Sequence, residues 1–181
     1  MTLAESVNLI FGFLTIIAQG CVVLLVSSWL FGFTIPEKIR AHAISLAFTA
    51  ALLATLGSLT YSEILGYEPC KLCWIQRILM YPQVLILGLA VWGRHKRSRA
   101  LLDASLILSA VGTLVALYRY LLQLGVAPAL PCAAVGYSVS CSQRFVMEFG
   151  YITIPLMALS AFLFILCVIQ WGNASTHAKD S

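Results

Sequence analysis

Long, uninterrupted apolar runs dominate the pattern of hydrophobic and polar positions along the chain. Five of these runs have about the 20 residues that a helix needs to cross the hydrocarbon core of a bilayer. Backbone polar groups can be satisfied in lipid only within helices or closed barrels, and these runs do not alternate as barrel strands do, so helices are predicted. The predicted spans are Asn8 to Phe33, about Ala41 to Ser62, Trp74 to Trp92, Ala100 to Gln123 and Tyr151 to Trp171.

The composition also indicates a lipid environment. Hydrophobic residues make up 61% of the 181 residues and charged residues only 10%, whereas a soluble domain carries about 25% charged residues. The net charge of +4 is too small and too localised to follow the phosphates of a nucleic acid. The chain is therefore predicted to be an integral protein of the lipid bilayer that binds no nucleic acid.

Basic residues predict the orientation of the spans. The loop at 93–99 holds four of the eleven Lys and Arg residues, and such residues are enriched in cytoplasmic loops. Counting crossings from this loop places the N terminus, the segment 63–73 and the loop 124–150 outside. The first run is too long for the apolar stretch of a signal peptide and is expected to be retained. The prediction is an N-out, C-in, multi-pass protein of the cytoplasmic membrane.

The chain contains six cysteines, more than packing requires, and the predicted topology divides them into two groups. Cys21 and Cys167 fall in the middle of spans, where cysteine behaves as a small hydrophobic residue. The other four fall on the outer side, where disulfides persist. These four are Cys70, Cys73, Cys132 and Cys141.

The first outer pair forms a CxxC motif, CKLC at 70–73, which follows Pro69 at the predicted start of a helix. Unpaired backbone N–H groups and the positive end of the helix dipole stabilise a thiolate at this position. This pair is therefore predicted to be redox-active.

The second outer pair, Cys132 and Cys141, is separated by eight residues in a loop. Taken alone, a structural disulfide within the loop is an alternative for this pair. A zinc site formed by all four thiols fits poorly, because structural zinc favours pairs two to four residues apart, and no metal is predicted. In the same loop, Phe145, Val146 and Phe149 are expected to lay one helical face on the membrane.

Arg77 lies four residues after Cys73, one helical turn deeper on the same face. A charge within a span is unfavourable without a partner and points to a functional site. The alternative is an arginine whose side chain extends to the interface. Arg119 lies at a comparable depth in the fourth span, and the two could line one pocket.

The run PCKLCWIQRILMYP at 69–82, the pair Cys132 and Cys141, and the segment YITIP at 151–155 together resemble the DsbB/BdbC family of disulfide-bond formation proteins. The short spacing of the second pair and the ITIP segment favour the BdbC-like branch. The resemblance implies an all-α, four-helix transmembrane redox domain at 41–172 with an extracytoplasmic loop at 124–150. Residues 1–40 add a further N-terminal helix and a cytoplasmic turn, and residues 173–181 form a tail.

The resemblance also implies the activity. Members of this family reoxidise a soluble, DsbA- or BdbD-like thioredoxin-fold thiol oxidase and pass two electrons to a membrane quinone, ubiquinone or menaquinone. Carried over by position, Cys73 engages the quinone, Cys70 is its more exposed partner, and Arg77 is the cation beside the quinone. Cys132 and Cys141 match the loop pair that exchanges with the soluble partner.

Two other interpretations stay open. The chain could be a non-enzymatic membrane protein in which both pairs are structural disulfides. It could also be a thiol relay that runs in the reducing direction, which needs thiols accessible from the cytoplasm, and only Cys21 and Cys167 are candidates.

BdbC-like relatives often have a histidine where Arg119 stands, so the resemblance implies no quinone role for this arginine.

Overall fold

Five helices account for nearly all of the chain that the computed structural model describes, namely residues 2–32, 39, 41–92, 98–126 and 146–177. Each is long and apolar enough to cross a membrane, the second when its terminal π-helical turn, Thr60–Ile64, is included. The all-α fold class with five spans is confirmed. The helices are α1 (Leu3–Phe31), α2 (Ala43–Leu59), α3 (Lys71–Trp92), α4 (Arg99–Leu124) and α5 (Ile154–His177).

Helices α2 to α5 form a four-helix bundle in which each helix packs against two neighbours, in the order α2, α3, α4, α5 and back to α2. Small residues allow these close approaches, as is usual between helices in lipid. Ala47 and Ala51 of α2 are fully buried, and Gly112 of α4 lies against the ring of the fully buried Phe162. A side chain on Gly112 would overlap that ring, so the contact between α4 and α5 requires glycine there.

Helix α1 begins at Leu3, earlier than the apolar run that predicted it. Thr2 and Glu5 form a capping box at its N terminus: the backbone N–H of Glu5 donates to Thr2 Oγ1 (3.3 Å), and the backbone N–H of Thr2 donates to Glu5 Oε2 (2.8 Å). Gly32, with φ of 71°, ends the helix in the left-handed conformation that glycine adopts without strain. Polar capping therefore extends the helix beyond its apolar part.

Helix α1 packs outside the bundle, along α5. Gln19 links the two: its Nε2 donates to Ser160 Oγ (3.1 Å), and its Oε1 accepts from the hydroxyl of Tyr151 (3.1 Å). Near the end of the bundle at which α3 begins, called the cysteine end below, the rings of Phe11 and Tyr61 lie 5.8 Å apart. Helix α1 therefore contacts α5 and also reaches across to the end of α2.

A tight turn precedes α5 at the cysteine end. Glu148 and Ile152 exchange two backbone hydrogen bonds of 2.9 Å, and Phe149 and Gly150 between them have φ of 51° and 78°. The ring of Phe149 packs against Phe13 of α1 at 5.4 Å between centroids, and Val146 is buried. The expectation that Val146 and Phe149 lie on one helical face at the membrane is therefore wrong, because this segment forms a left-handed turn and not a helix. Phe145 lies outside the described residues.

Candidate redox site

The CxxC motif lies at the start of α3. The backbone N–H of Trp74 donates to the carbonyl of Cys70 (3.1 Å), which is the first hydrogen bond of the helix. The backbone N–H of Cys70 donates to Cys73 Sγ (3.1 Å), and the two sulfur atoms are 2.9 Å apart. A disulfide bond is about 2.05 Å long, so Cys70 and Cys73 are not joined by a disulfide in this structure, although their sulfur atoms are in contact.

The two thiols differ in exposure, in the opposite sense to that implied by the resemblance. Cys70 is 2% exposed and packs against Leu122 of α4, with Leu72 and Tyr118 beside it. Cys73 is half-buried and lines a cavity. The expectation that Cys70 is the more exposed partner is therefore wrong in this structure, because its side chain turns into the contact between α3 and α4.

The cavity that Cys73 lines has a volume of about 400 Å³, within the usual range of sites for small organic ligands. It extends from the cysteine end into the bundle between α1, α2, α3 and α5, and most of its lining is apolar. Four long polar side chains line it toward the cysteine end: Glu68, Gln76, Arg77 and Arg119. The sequence positions of Arg77 and Arg119 indicate that they could line one pocket, and both do line this cavity.

Arg77 is anchored on α2. Its Nε donates to Ser58 Oγ (3.0 Å) and its Nη2 donates to the carbonyl of Ser58 (3.0 Å). Its guanidinium carbon also lies 5.3 Å from the centroid of the Trp74 ring, a favourable position for a cation over an aromatic face. These contacts fix the guanidinium at the wall of the cavity, one turn from Cys73.

Arg119 and Gln76 form a second, more deeply buried pair. Arg119 is 3% exposed and Gln76 is 7% exposed, and Arg119 Nη1 donates to Gln76 Oε1 (3.2 Å). Arg119 Nε and Gln76 Nε2 are buried without a hydrogen-bond partner among the residues that the structure describes. A buried donor without an acceptor is unfavourable by about 1–3 kcal/mol. Two side chains at the cavity wall near Cys73 therefore each have a donor that a ligand could satisfy.

Comparison with known proteins identifies the family. Residues 40–172 match the family of the disulfide bond formation protein DsbB. The chain belongs to this family.

Relatives of the chain carry the same description. The probable disulfide formation protein C 1 of Bacillus anthracis is 43% identical over 127 residues, which are 70% of this chain and 88% of the relative. The disulfide bond formation protein C of Bacillus subtilis is 42% identical over 122 residues, 66% of this chain and 84% of the relative. The probable disulfide formation protein of Oceanobacillus iheyensis is 46% identical over 129 residues, 71% of this chain and 86% of the relative. No solved structure matches the chain.

The chain belongs to a disulfide bond formation family and has five helices long and apolar enough to cross a membrane. It is therefore a multi-pass membrane protein of that family. The DsbB family match begins at residue 40 and thus leaves out α1. The relatives are shorter than this chain, since each alignment covers more of the relative than of the chain.

The structure brings together three of the five site residues expected from the sequence, Cys70, Cys73 and Arg77. Cys132 and Cys141 lie outside the described residues. Of the two cysteines within spans, Cys21 lines the cavity on α1 and Cys167 does not.

The sequence pattern by itself does not predict a role for Gln76. A possible signal was its position: a polar amide within an apolar run, three residues after Cys73 and next to Arg77. Arg119 was noted for its depth, but no role was expected for it. Its burial against Gln76 depends on contact between α3 and α4, which sequence spacing does not report.

Proposed function

We propose that this protein is a membrane thiol oxidase that reoxidises a soluble, thioredoxin-fold disulfide oxidase and passes the electrons to membrane quinone. In this proposal the protein lies in the cytoplasmic membrane with its N terminus and the loop 124–150 outside. Residues 41–172 form the redox domain, residues 1–40 an additional helix and turn, and residues 173–181 a tail. Membership in a disulfide bond formation family supports the oxidising direction.

The observation that carries the proposal is the cavity beside Cys73. Its walls are mostly apolar, which suits a lipid-soluble ring, and Arg119 Nε and Gln76 Nε2 lack acceptors within the described part of the chain. The carbonyl oxygens of a quinone are acceptors without charge, so the chemistry of this donor set fits that group. A bound quinone, ubiquinone or menaquinone, supplies the acceptor for two electrons.

The protein's own residues carry out two thiol–disulfide exchanges. A thiolate of the reduced soluble oxidase attacks the Cys132–Cys141 disulfide at Cys132, and Cys141 leaves as the thiol. The second thiol of that partner then resolves the mixed disulfide, so the partner leaves oxidised and the loop pair is a dithiol. The loop pair next reduces the Cys70–Cys73 disulfide and becomes a disulfide again. Each exchange moves two electrons and two protons, which the Cys70–Cys73 dithiol then holds, with Cys73 as the thiol that lines the cavity.

The cations at the cavity support the role of Cys73 as the reacting thiolate. Arg77 and Arg119 both line the space that Cys73 lines, so negative charge that develops on its sulfur would share the cavity with two positive charges. Arg77 is held by Ser58 and Trp74, which keeps its charge at the wall of the cavity. We assign Arg77 the position beside the quinone, with Arg119 and Gln76 as hydrogen-bond donors to it.

The experiment that tests this function uses the purified protein in nanodiscs with a reduced thioredoxin-fold oxidase. Oxidation of that partner is measured with and without added quinone, in the wild-type protein and in the Cys73→Ser variant. We expect turnover only with quinone, and none in Cys73→Ser. Cys167→Ser is the matched control, since Cys167 lies within a helix and away from the cavity, and it is expected to keep wild-type turnover.

Normal quinone-dependent turnover in Cys73→Ser would refute the proposal. Partner oxidation that proceeds equally without quinone would refute the assignment of the electron acceptor.

A further inference from the structure

Helix α1 forms one wall of the cavity although it lies outside the part of the chain that matches the DsbB family. The wall consists of residues on one face of the helix, facing α2 across the cavity. Its residues are Phe11, Leu14, Thr15, Ile17, Ala18 and Cys21. Without α1 this side of the cavity would be a groove on the bundle.

Specific contacts hold α1 in this position. Gln19 bonds to Ser160 and Tyr151, which fixes the middle of α1 to α5. At the cysteine end, the ring of Phe11 passes over Gly57 of α2, where even a Cβ atom would come within 2.7 Å of it. Helix α1 is therefore held on both sides of the cavity, by the hydrogen bonds of Gln19 on the α5 side and by the packing of Phe11 on α2.

The cavity changes character along its length. Among the described residues, three side chains that line the cavity have a buried donor without a hydrogen-bond partner: Gln76, Arg119 and Tyr81. Gln76 and Arg119 lie with Cys73 near the cysteine end, and the Tyr81 hydroxyl is on α3 eight residues after Cys73, beside a lining that is otherwise mostly apolar. From Phe11 to Cys21 the α1 wall extends about 15 Å along the helix axis, at 1.5 Å per residue. The hydroxyls of Thr15, Thr49 and Ser160 on this stretch all donate to carbonyls of their own helices. Their donors are thus already satisfied.

We propose that α1 forms a seat for the prenyl tail of the quinone, with its polar ring at Cys73 and its tail between α1 and α2. This inference rests on the proposed function. An uncharged ring can enter among buried groups such as Arg119 and Gln76, and the tail then follows the apolar stretch. The charged head group of a phospholipid would lose its hydration there, so the continuity of the two parts of the cavity favours a quinone over a lipid acyl chain.

The test compares two quinones with the same ring, one with a long prenyl tail and one with the tail removed. Ala18→Phe adds a ring to the α1 wall, since Ala18 lines the cavity. We expect KM for the long-tailed quinone to rise about tenfold, while KM for the tail-less quinone stays within about twofold. Val23→Phe is the control, since Val23 is 65% exposed on the same helix and does not line the cavity. It should change neither KM.

The outcomes separate the two proposals. If the wild-type protein reduces neither quinone, the proposed function fails. If it reduces both and Ala18→Phe leaves both KM values unchanged, or raises them equally, the function stands and the tail seat on α1 is wrong.

A second measurement uses the wild-type protein and does not depend on the folding of a variant. A long-tailed quinone with a photoreactive diazirine on its tail is irradiated in nanodiscs, and the crosslinked peptides are mapped by mass spectrometry. We expect crosslinks to residues 11–21 of α1, which excess unlabelled long-tailed quinone suppresses. Crosslinks confined to other helices would overturn the inference. Suppression by added phospholipid but not by unlabelled quinone would also overturn it, since the seat would then hold a lipid acyl chain.

Discussion

Two glutamines of α3 are both buried but differ in how completely their polar atoms are paired. Gln83 is fully buried; its Oε1 accepts from Ser105 Oγ (3.2 Å) and Ser109 Oγ (3.0 Å), and its Nε2 donates to a carbonyl of its own helix (3.2 Å). Gln76, seven residues earlier and so about two turns away, accepts from Arg119, and its amide nitrogen has no partner in the described ranges.

The difference separates a polar contact that only joins two helices from one that also lines the cavity. Gln83 and its two serines join α3 to α4 and do not line the cavity. Gln76 and Arg119 also join these helices, but both line the cavity. Each has one hydrogen-bond donor without an acceptor among the described residues. Burial of a polar side chain in a membrane bundle therefore does not by itself mark function; a buried donor without an acceptor at a cavity wall is the more specific sign.

Arg119→Leu removes the most deeply buried charge at the cavity. Of the arginine and glutamine substitutions, it should lower kcat/KM for quinone the most. A hydrogen bond from a charged group is worth about 1.5–3 kcal/mol, so kcat/KM for quinone should fall about 10- to 100-fold. Steady-state kinetics with varied quinone measure this fall. Exchange between the protein partner and the enzyme, followed in a single turnover, should be unaffected; a loss confined to that exchange would contradict the role of Arg119 at the cavity.

Arg77→Ala tests the arginine that is anchored by side-chain and backbone bonds to α2. We expect KM for quinone to rise about tenfold, as for loss of one charge-assisted hydrogen bond, and KM for the protein partner to change less. Titrations of each substrate at saturating levels of the other separate the two constants. The reverse pattern would count against the position of Arg77 beside the quinone.

Gln76→Leu removes a neutral donor and should have a smaller effect on activity. A net contribution of about 1 kcal/mol corresponds to roughly a fivefold fall in kcat/KM for quinone. The same kinetic assay measures it, beside the matched variant Gln83→Leu on the same helix. An unchanged kcat/KM in Gln76→Leu would mean that its unpaired amide does not face the ligand.

Gln83→Leu should leave quinone kinetics unchanged and act on stability alone. Interhelical hydrogen bonds in membranes contribute about 0.6 kcal/mol on average and up to about 1.7 kcal/mol. We expect the free energy of unfolding, measured by titration with a denaturing detergent, to fall by about 1 kcal/mol for the two serine contacts. A drop in kcat/KM as large as that of Gln76→Leu would remove the distinction between the two glutamines.

The sequence was sufficient to predict the five spans and the CxxC motif at the start of α3. Span length and composition follow from the bilayer itself, and Pro69 with CKLC marks a helix N terminus. The first helix start was misplaced, because the capping box of Thr2 and Glu5 adds a turn that apolarity does not report.

The sequence indicated that Arg77 and Arg119 could line one pocket, but it could not predict the shape of the cavity or the burial of its polar side chains. Whether Arg119 extends to the interface or turns inward depends on Gln76 of the adjacent helix. The exposure of Cys70 depends on Leu122 of α4 in the same way. Positions along one helix give the face on which a residue lies, but a cavity arises from the space that several helices leave between them.

The central claim is that quinone oxidises the cysteines of this protein, and their redox state in membranes tests it most directly. Thiols in membranes with and without quinone are trapped by alkylation in the presence of reduced partner, and each cysteine pair is read by mass spectrometry. We predict that without quinone both Cys70–Cys73 and Cys132–Cys141 accumulate as dithiols, and that restoring quinone converts both to disulfides. Two pairs that remain disulfides whether or not quinone is present would contradict the account.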